Sequence, residues 1–89
     1  MDLKELDRAH EHSWANRQEV LASEQCGCFY CLEIFSPVEI TTWALDEDDV
    51  ENVAVCPRCE VDAVIGDLSG FPIETGFLRR MRLRWFSCC

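Results

Sequence analysis

The residues with the clearest chemistry are four cysteines in two short pairs, Cys28-Phe29-Tyr30-Cys31 and Cys56-Pro57-Arg58-Cys59, separated by the 24 residues from Leu32 to Val55. A two-residue gap lets each pair close into a tight knuckle with both sulfurs facing one point, and four thiolates at about 2.3 Å suit tetrahedral Zn²⁺. Such a site has no open position for water or substrate, whereas catalytic zinc keeps one. The expectation is therefore one structural Zn²⁺ per chain, held by Cys28, Cys31, Cys56 and Cys59. Four reduced buried cysteines, or iron in place of zinc, are the competing readings. Cys26-Gly27-Cys28 offers another chelating pair, but the gap between Cys28 and Cys31 matches that of the second knuckle, and Gly27 can supply permissive backbone for the turn. Cys26 is then expected to be a buried apolar thiol beside the site. Cys88 and Cys89 end the sequence and are expected to form a frayed, exposed tail.

Little else has the makings of an active site. His10 and His12 are the only histidines, both in a polar N-terminal segment and expected to be surface or capping residues. A zinc-supported nuclease motif would need a histidine after the first knuckle, and none follows it. Asp62 is expected to accept hydrogen bonds from backbone amides near the metal loop, and Asp67 to sit in the turn after Gly66. The acidic run 46–49 lacks the alternating ligand spacing of a calcium loop and reads as a solvated loop. No enzymatic activity is expected. Arg79, Arg80, Arg82 and Arg84 could meet phosphates, but pairing with carboxylates of the same chain or of a partner is the favoured reading.

The 89 residues carry 17 acids against 8 Lys and Arg, a net charge of −9. Residues 26–60 hold eight of the acids and a single base, Arg58. Such a middle repels phosphate, so a broad nucleic-acid footprint is not expected. No run approaches 20 apolar residues, so no membrane span is expected either. The first residues, Met-Asp-Leu-Lys-Glu-Leu-Asp-Arg, have no apolar core or cleavage pattern of a signal peptide. The expected location is the cytoplasm, where grouped cysteines bind metals more often than they form disulfides. Apolar residues make up 48 %, enough for a thin core, since a chain of this length buries only about 60 % of its unfolded surface. Metal, disulfide or partner commonly makes up the deficit.

The elements that must position the cysteines can be read from periodicity and caps. Leu3, Leu6, His10 and Trp14 follow helical spacing. Asn16, with Glu19 three residues on, is placed to cap a helix over 17–23, so residues 1–24 read as a helical lead-in, one bent helix or two short ones. Residues 26–35 mix Cys, aromatic and β-branched types and predict a turn entering a strand. Ser36-Pro37-Val38-Glu39 has the cap, proline and Glu of a helix start, predicting a helix to about Trp43. A short strand over 53–55 should lead into the second knuckle, with Val61–Ile65 either strand or helical turn, stopped by Gly66. After a turn at 69–72, Phe77, Leu78, Met81 and Trp85 share one arc of a helix over 75–86. Trp14, Trp43 and Trp85 are expected to pack around the knuckles.

Several of these segments, taken in order, carry a resemblance. Cys-Gly-Cys-Phe-Tyr-Cys-Leu at 26–32, Cys-Pro-x-Cys at 56–59, Asp62-x-Val64-Ile65-Gly66, Ser69-Gly70-Phe71-Pro72-Ile73, and Phe77-Leu78 with Met81 and Trp85-Phe86 together resemble a family of small bacterial cytoplasmic proteins. The resemblance runs from about Ser23 to Phe86 and implies a zinc-binding fold without implying any chemistry. Glu60 stands where such knuckles commonly carry glycine, and the Ser-Cys-Cys end lies beyond the resemblance.

The expected fold is a single zinc-stabilised domain, small α+β, over 1–89. It comprises the lead-in, a double-knuckle core over 26–66 of treble-clef or zinc-ribbon type, the C-terminal amphipathic helix over 75–86, and the tail 87–89. The expected role is binding another protein. A nucleic-acid-associated accessory protein using the arginine helix, and a thiol redox switch with Cys26, Cys88 or Cys89 as resolving thiol, are the alternatives.

Overall fold

A computed structural model describes residues 2–86. Two short helices lead in, α1 (Leu3–Glu11) and α2 (Arg17–Ala22), followed by β1 (Cys26–Cys28) and β2 (Ile34–Phe35). A single 3₁₀ turn (Pro37–Glu39) precedes the hairpin of β3 (Trp43–Leu45) and β4 (Glu51–Ala54). Strand β5 (Val64–Gly66), a second 3₁₀ turn (Asp67–Ser69) and helix α3 (Thr75–Trp85) complete the described chain. The architecture of the described residues is small α+β, with three α-helices and two small sheets.

Helix α1 starts because the Asp2 carboxylate accepts the Glu5 N–H at 2.9 Å, a side-chain cap for a donor with no partner inside the helix. It buries Leu6 and Ala9. The lead-in is two helices because the chain between them turns through a left-handed Ala15 (φ 48°). Asn16 stands at the start of α2 but makes no side-chain cap there, and Glu19 pairs with His12 instead of closing a capping box. The Asn16 amide is buried elsewhere. It donates to the carbonyls of His12 (2.9 Å) and Val64 (2.8 Å) and accepts from the Ala54 N–H (3.0 Å). One side chain thus ties the end of α1 to β4 and β5, because a buried amide needs partners wherever they lie.

Strand β1 is the centre of a three-stranded antiparallel sheet in the order β2-β1-β5, with Cys26 opposite both Phe35 and Gly66. Phe77, Leu78 and Met81 of α3 are buried in the same core as Cys26, Cys28 and Ile65. Gly27 has no turn to make, since it lies inside β1. A Cβ there would stand 2.8 Å from a Leu78 methyl, so the missing side chain lets α3 approach the sheet. The run after the second knuckle is a strand that ends at Gly66, as expected, and Ser23 is pressed against the Gly66 Cα.

Two further expectations are corrected. The cap at Ser36 forms with its Glu39 partner, but the helix ends after one 3₁₀ turn, and Trp43 begins a strand. Thr41, Thr42 and Trp43 are strand-favouring types that outweigh a good start signal. None of the three tryptophans is fully buried, although Trp43 is partly buried and packs against the core. Trp14 is 45 % exposed with its Nε1–H donated to Glu47, Trp43 lies under the Arg17 guanidinium, and Trp85 stacks on His10 with centroids 3.8 Å apart. The buried aromatics are Phe29, Phe35 and Phe77. The acidic run forms the β3–β4 hairpin turn, where Asp46 accepts from the Asp48 and Val50 amides.

Candidate metal centre

Each cysteine pair folds into the same knuckle. In the first, the N–H of Tyr30 points at Cys28 Sγ (3.4 Å), the N–H of Leu32 returns to the Cys28 carbonyl (2.8 Å), and the Cys28 N–H reaches the Glu33 carbonyl (3.0 Å). In the second, Arg58 N–H points at Cys56 Sγ (3.3 Å), Glu60 N–H returns to the Cys56 carbonyl (3.0 Å), and Cys56 N–H reaches the Val61 carbonyl (3.0 Å). Pro57 fits because its position calls for no donor within the turn. The corresponding Phe29 N–H bonds outward to the Ala63 carbonyl at 3.0 Å, tying the first knuckle to the strand segment after the second.

Both knuckles close through a left-handed residue, Leu32 (φ 68°) and Glu60 (φ 65°). The glycine commonly found there is thus replaced in both, and the turn geometry survives at a modest steric cost.

The first knuckle is the bend between β1 and β2, and the second lies between β4 and β5. Pairing of β1 with β5 brings them face to face. Sulfur atoms of Cys28 and Cys59 stand 3.6 Å apart, and those of Cys31 and Cys56 3.7 Å. All four lie within 4.8 Å of one another. Four ligands at 2.3 Å in a tetrahedron would be separated by about 3.8 Å, so the donor set fits a small tetrahedral cation. Cys28, Cys31, Cys56 and Cys59 are the residues that would hold it.

Electrostatics at the cluster also favour a cation. Burial pushes the Cys28 thiol well up, and it raises Cys31 to about 11. Burial opposes ionisation of Cys56 as well, but the backbone N–H groups of Cys59 and Arg58 directed at its sulfur, together with the Cys31 and Cys59 thiols, prevail and lower it. Amides aimed at two sulfurs stabilise thiolate, while crowding of four sulfurs disfavours several thiolates without a counter-ion. Cys26 stands apart from the four. It is buried in β1, and burial raises it to about 12, so it is a neutral apolar thiol. Cys88 and Cys89 lie outside the described residues.

The remaining candidate residues are dispersed. Arg58 reaches back to Glu39 at 2.8 Å, joining the second knuckle to the 3₁₀ turn. His12 pairs with Glu19. Asp67 opens the turn after Gly66, as expected, and its carboxylate also accepts the Glu24 and Gln25 amides. Asp62 accepts no backbone hydrogen bond among the described residues and faces solvent, contrary to expectation. Of the four arginines, Arg84 pairs with Asp7 at 3.0 Å and Arg82 lies over Tyr30. The structural role of Asn16 has no periodicity or spacing to announce it.

Comparisons with protein-family models, with curated proteins and with solved structures each find no match. No helix of the described residues is long and apolar enough to cross a membrane.

Proposed function

We propose that this chain is a protein-interaction module of the cytoplasm, built on one structural Zn²⁺ held by Cys28, Cys31, Cys56 and Cys59, and not an enzyme. The observation that carries the reading is the closed set of four sulfurs within 4.8 Å, all supplied by two like turns. A tetrahedral ion there has no vacant position at which a substrate could bind. Neither knuckle opens a helix, and both lie between strands. That favours a zinc-ribbon-like arrangement over a treble clef, in which the second pair stands at a helix start.

What supports interaction is the surface beside the first knuckle. Tyr30, Trp85, Phe86 and Arg82 are exposed there, and aromatic residues and arginine dominate the energetics of protein interfaces. Tyr30 sits edge-on to Phe86 at 5.0 Å, with the Arg82 guanidinium 5.6 Å from the Tyr30 ring centre. A nucleic-acid role is the weaker reading, since the net charge is −9 and Arg84 is engaged with Asp7.

Native mass spectrometry of the chain purified under reducing conditions tests the metal. One zinc per chain is expected; no metal, iron, or two metals would overturn it. Cross-linking with the zinc-loaded chain should then trap a protein whose capture is lost in Tyr30→Ala/Arg82→Ala, with zinc retained. Salt-sensitive retention on DNA or RNA would favour the nucleic-acid reading instead, and peroxide-driven zinc release with disulfide formation the redox one.

A further inference from the structure

Next to that surface, a cavity of about 200 Å³ opens between α1, the first knuckle and the segment after the second. Trp14, Phe29, Phe86 and His10 supply rings to its walls, and Asp62 supplies a carboxylate. Trp14 and Phe86 are exposed and line one cavity together, and apolar surface gathered in one place marks a candidate interaction site. The rings hold one another in place: Phe29 lies 5.8 Å from Phe86 and 6.1 Å from His10, and the Trp14 indole is tethered by its hydrogen bond to Glu47.

The charges around the cavity are mixed, but one carboxylate among them is unpaired within the described residues. Asp7, Asp62 and Glu11 all act on His10 to favour its protonation, yet burial prevails and holds its imidazole below the ordinary value, so the ring is neutral at pH 7. Two arginines of α3 are engaged elsewhere, Arg84 by Asp7 and the face of Trp85, and Arg82 by the face of Tyr30. Asp62 has no ion pair among the described residues. Aromatic walls with a free carboxylate, in a chain of net charge −9, are suited to an organic cation, which ring faces attract and which the wider field draws in.

We propose that this cavity seats the ammonium or guanidinium end of a lysine or arginine side chain presented by the protein partner. Asp62 pairs with the charge, and the Trp14 and Phe86 rings cover the alkyl stem. The inference rests on the interaction reading above and names the anchor that the partner offers. An anionic or purely apolar anchor fits less well, because either would leave Asp62 unpaired against it.

The test uses the whole zinc-loaded chain labelled with ¹⁵N, titrated with N-acetyl-lysine-methylamide and, separately, with the N-acetyl-norleucine and N-acetyl-glutamate analogues. The lysine probe should shift the Trp14 indole N–H and the amides of Asp62 and Ala63, with an affinity at least tenfold above that of norleucine. Asp62→Asn should abolish that difference while leaving the zinc content and the rest of the spectrum in place, since Asp62 is exposed and supports no hydrogen bond. Equal response to lysine and norleucine, preference for glutamate, or no response at Trp14 would overturn the proposal. Any of these failures leaves the metal content and the cross-linking result untouched, so it is distinguishable from failure of the interaction reading.

Discussion

Leu32 and Glu60 occupy the same place in two turns: each lies four residues after the first cysteine of its knuckle, with φ of 68° and 65°. Each returns its N–H to that cysteine's carbonyl. A residue with a Cβ is disfavoured in this conformation by roughly 1 kcal/mol, and glycine is not. Leu32 packs against the core, whereas Glu60 is exposed. Glu60→Gly should therefore raise stability by about 1 kcal/mol, less the extra freedom it gives the unfolded chain. Leu32→Gly should gain nothing, because it also loses buried apolar surface. Urea unfolding of both variants at saturating zinc checks the contrast.

Cysteine variants should divide into two classes. Cys28→Ser and Cys59→Ser remove a ligand, and each should lower zinc below one per chain and destabilise the fold severely, since structural zinc contributes on the order of 10 kcal/mol in small domains. Cys26→Ala should keep one zinc and lose only about 1 kcal/mol, the scale of a small buried deletion. Metal analysis and thermal melts read both. Equal loss of zinc in Cys26→Ala would place a ligand where the geometry has none.

Asn16→Ala should cost roughly 2–4 kcal/mol, because it strands the Ala54 N–H and the Val64 carbonyl, both of which it satisfies from the interior. Asn16→Ser, which cannot span both strands, should be nearly as costly, although serine is a good N-cap. Survival of Asn16→Ser at wild-type stability would mean that Asn16 serves as a cap after all. Chemical denaturation separates these outcomes.

His10 gives a pH dependence of defined sign. Its folded pKa lies below 6.5 through burial, against the carboxylates of Asp7, Asp62 and Glu11. The neutral ring is thus the form the fold prefers. Its contribution is complete above pH 6.5 and is lost as pH falls through the lowered value. His10→Gln should remove that part of the acid sensitivity, and the His10 ring resonances should titrate below the ordinary histidine value in an NMR series. Asp62→Asn should move that midpoint further down.

Chelation supplies the last expectation. Zinc displaces protons from thiols that burial keeps protonated, so acid should release the ion and alkali should strengthen its binding. EDTA at neutral pH should convert the folded chain to a largely unfolded one, and added zinc should restore it. Circular dichroism follows both steps.

The four cysteines were legible before any fold, because a knuckle is a local object: two residues between cysteines, with amides that turn onto the first sulfur, need no distant contact. The α3 arc of Phe77, Leu78 and Met81 was legible for the same reason, its period being internal to the segment. Ser36 announced its cap but not how soon the helix would end, since pairing of Trp43 with Ala54 is decided by a strand eight or more residues away. Asn16 looked like a cap by its neighbours and became a buried bracket by its distant partners. The tryptophans looked like core by type, but only Trp43 packs against it, partly buried, and the fully buried rings are Phe29, Phe35 and Phe77. Sequence alone determined which residues could ligate a metal and where two turns would form. Only the tertiary structure decided that those turns face each other, that Cys26 is excluded, and that Asp62 stands free beside exposed rings, because each depends on the antiparallel pairing of β1 with β5 across a long loop.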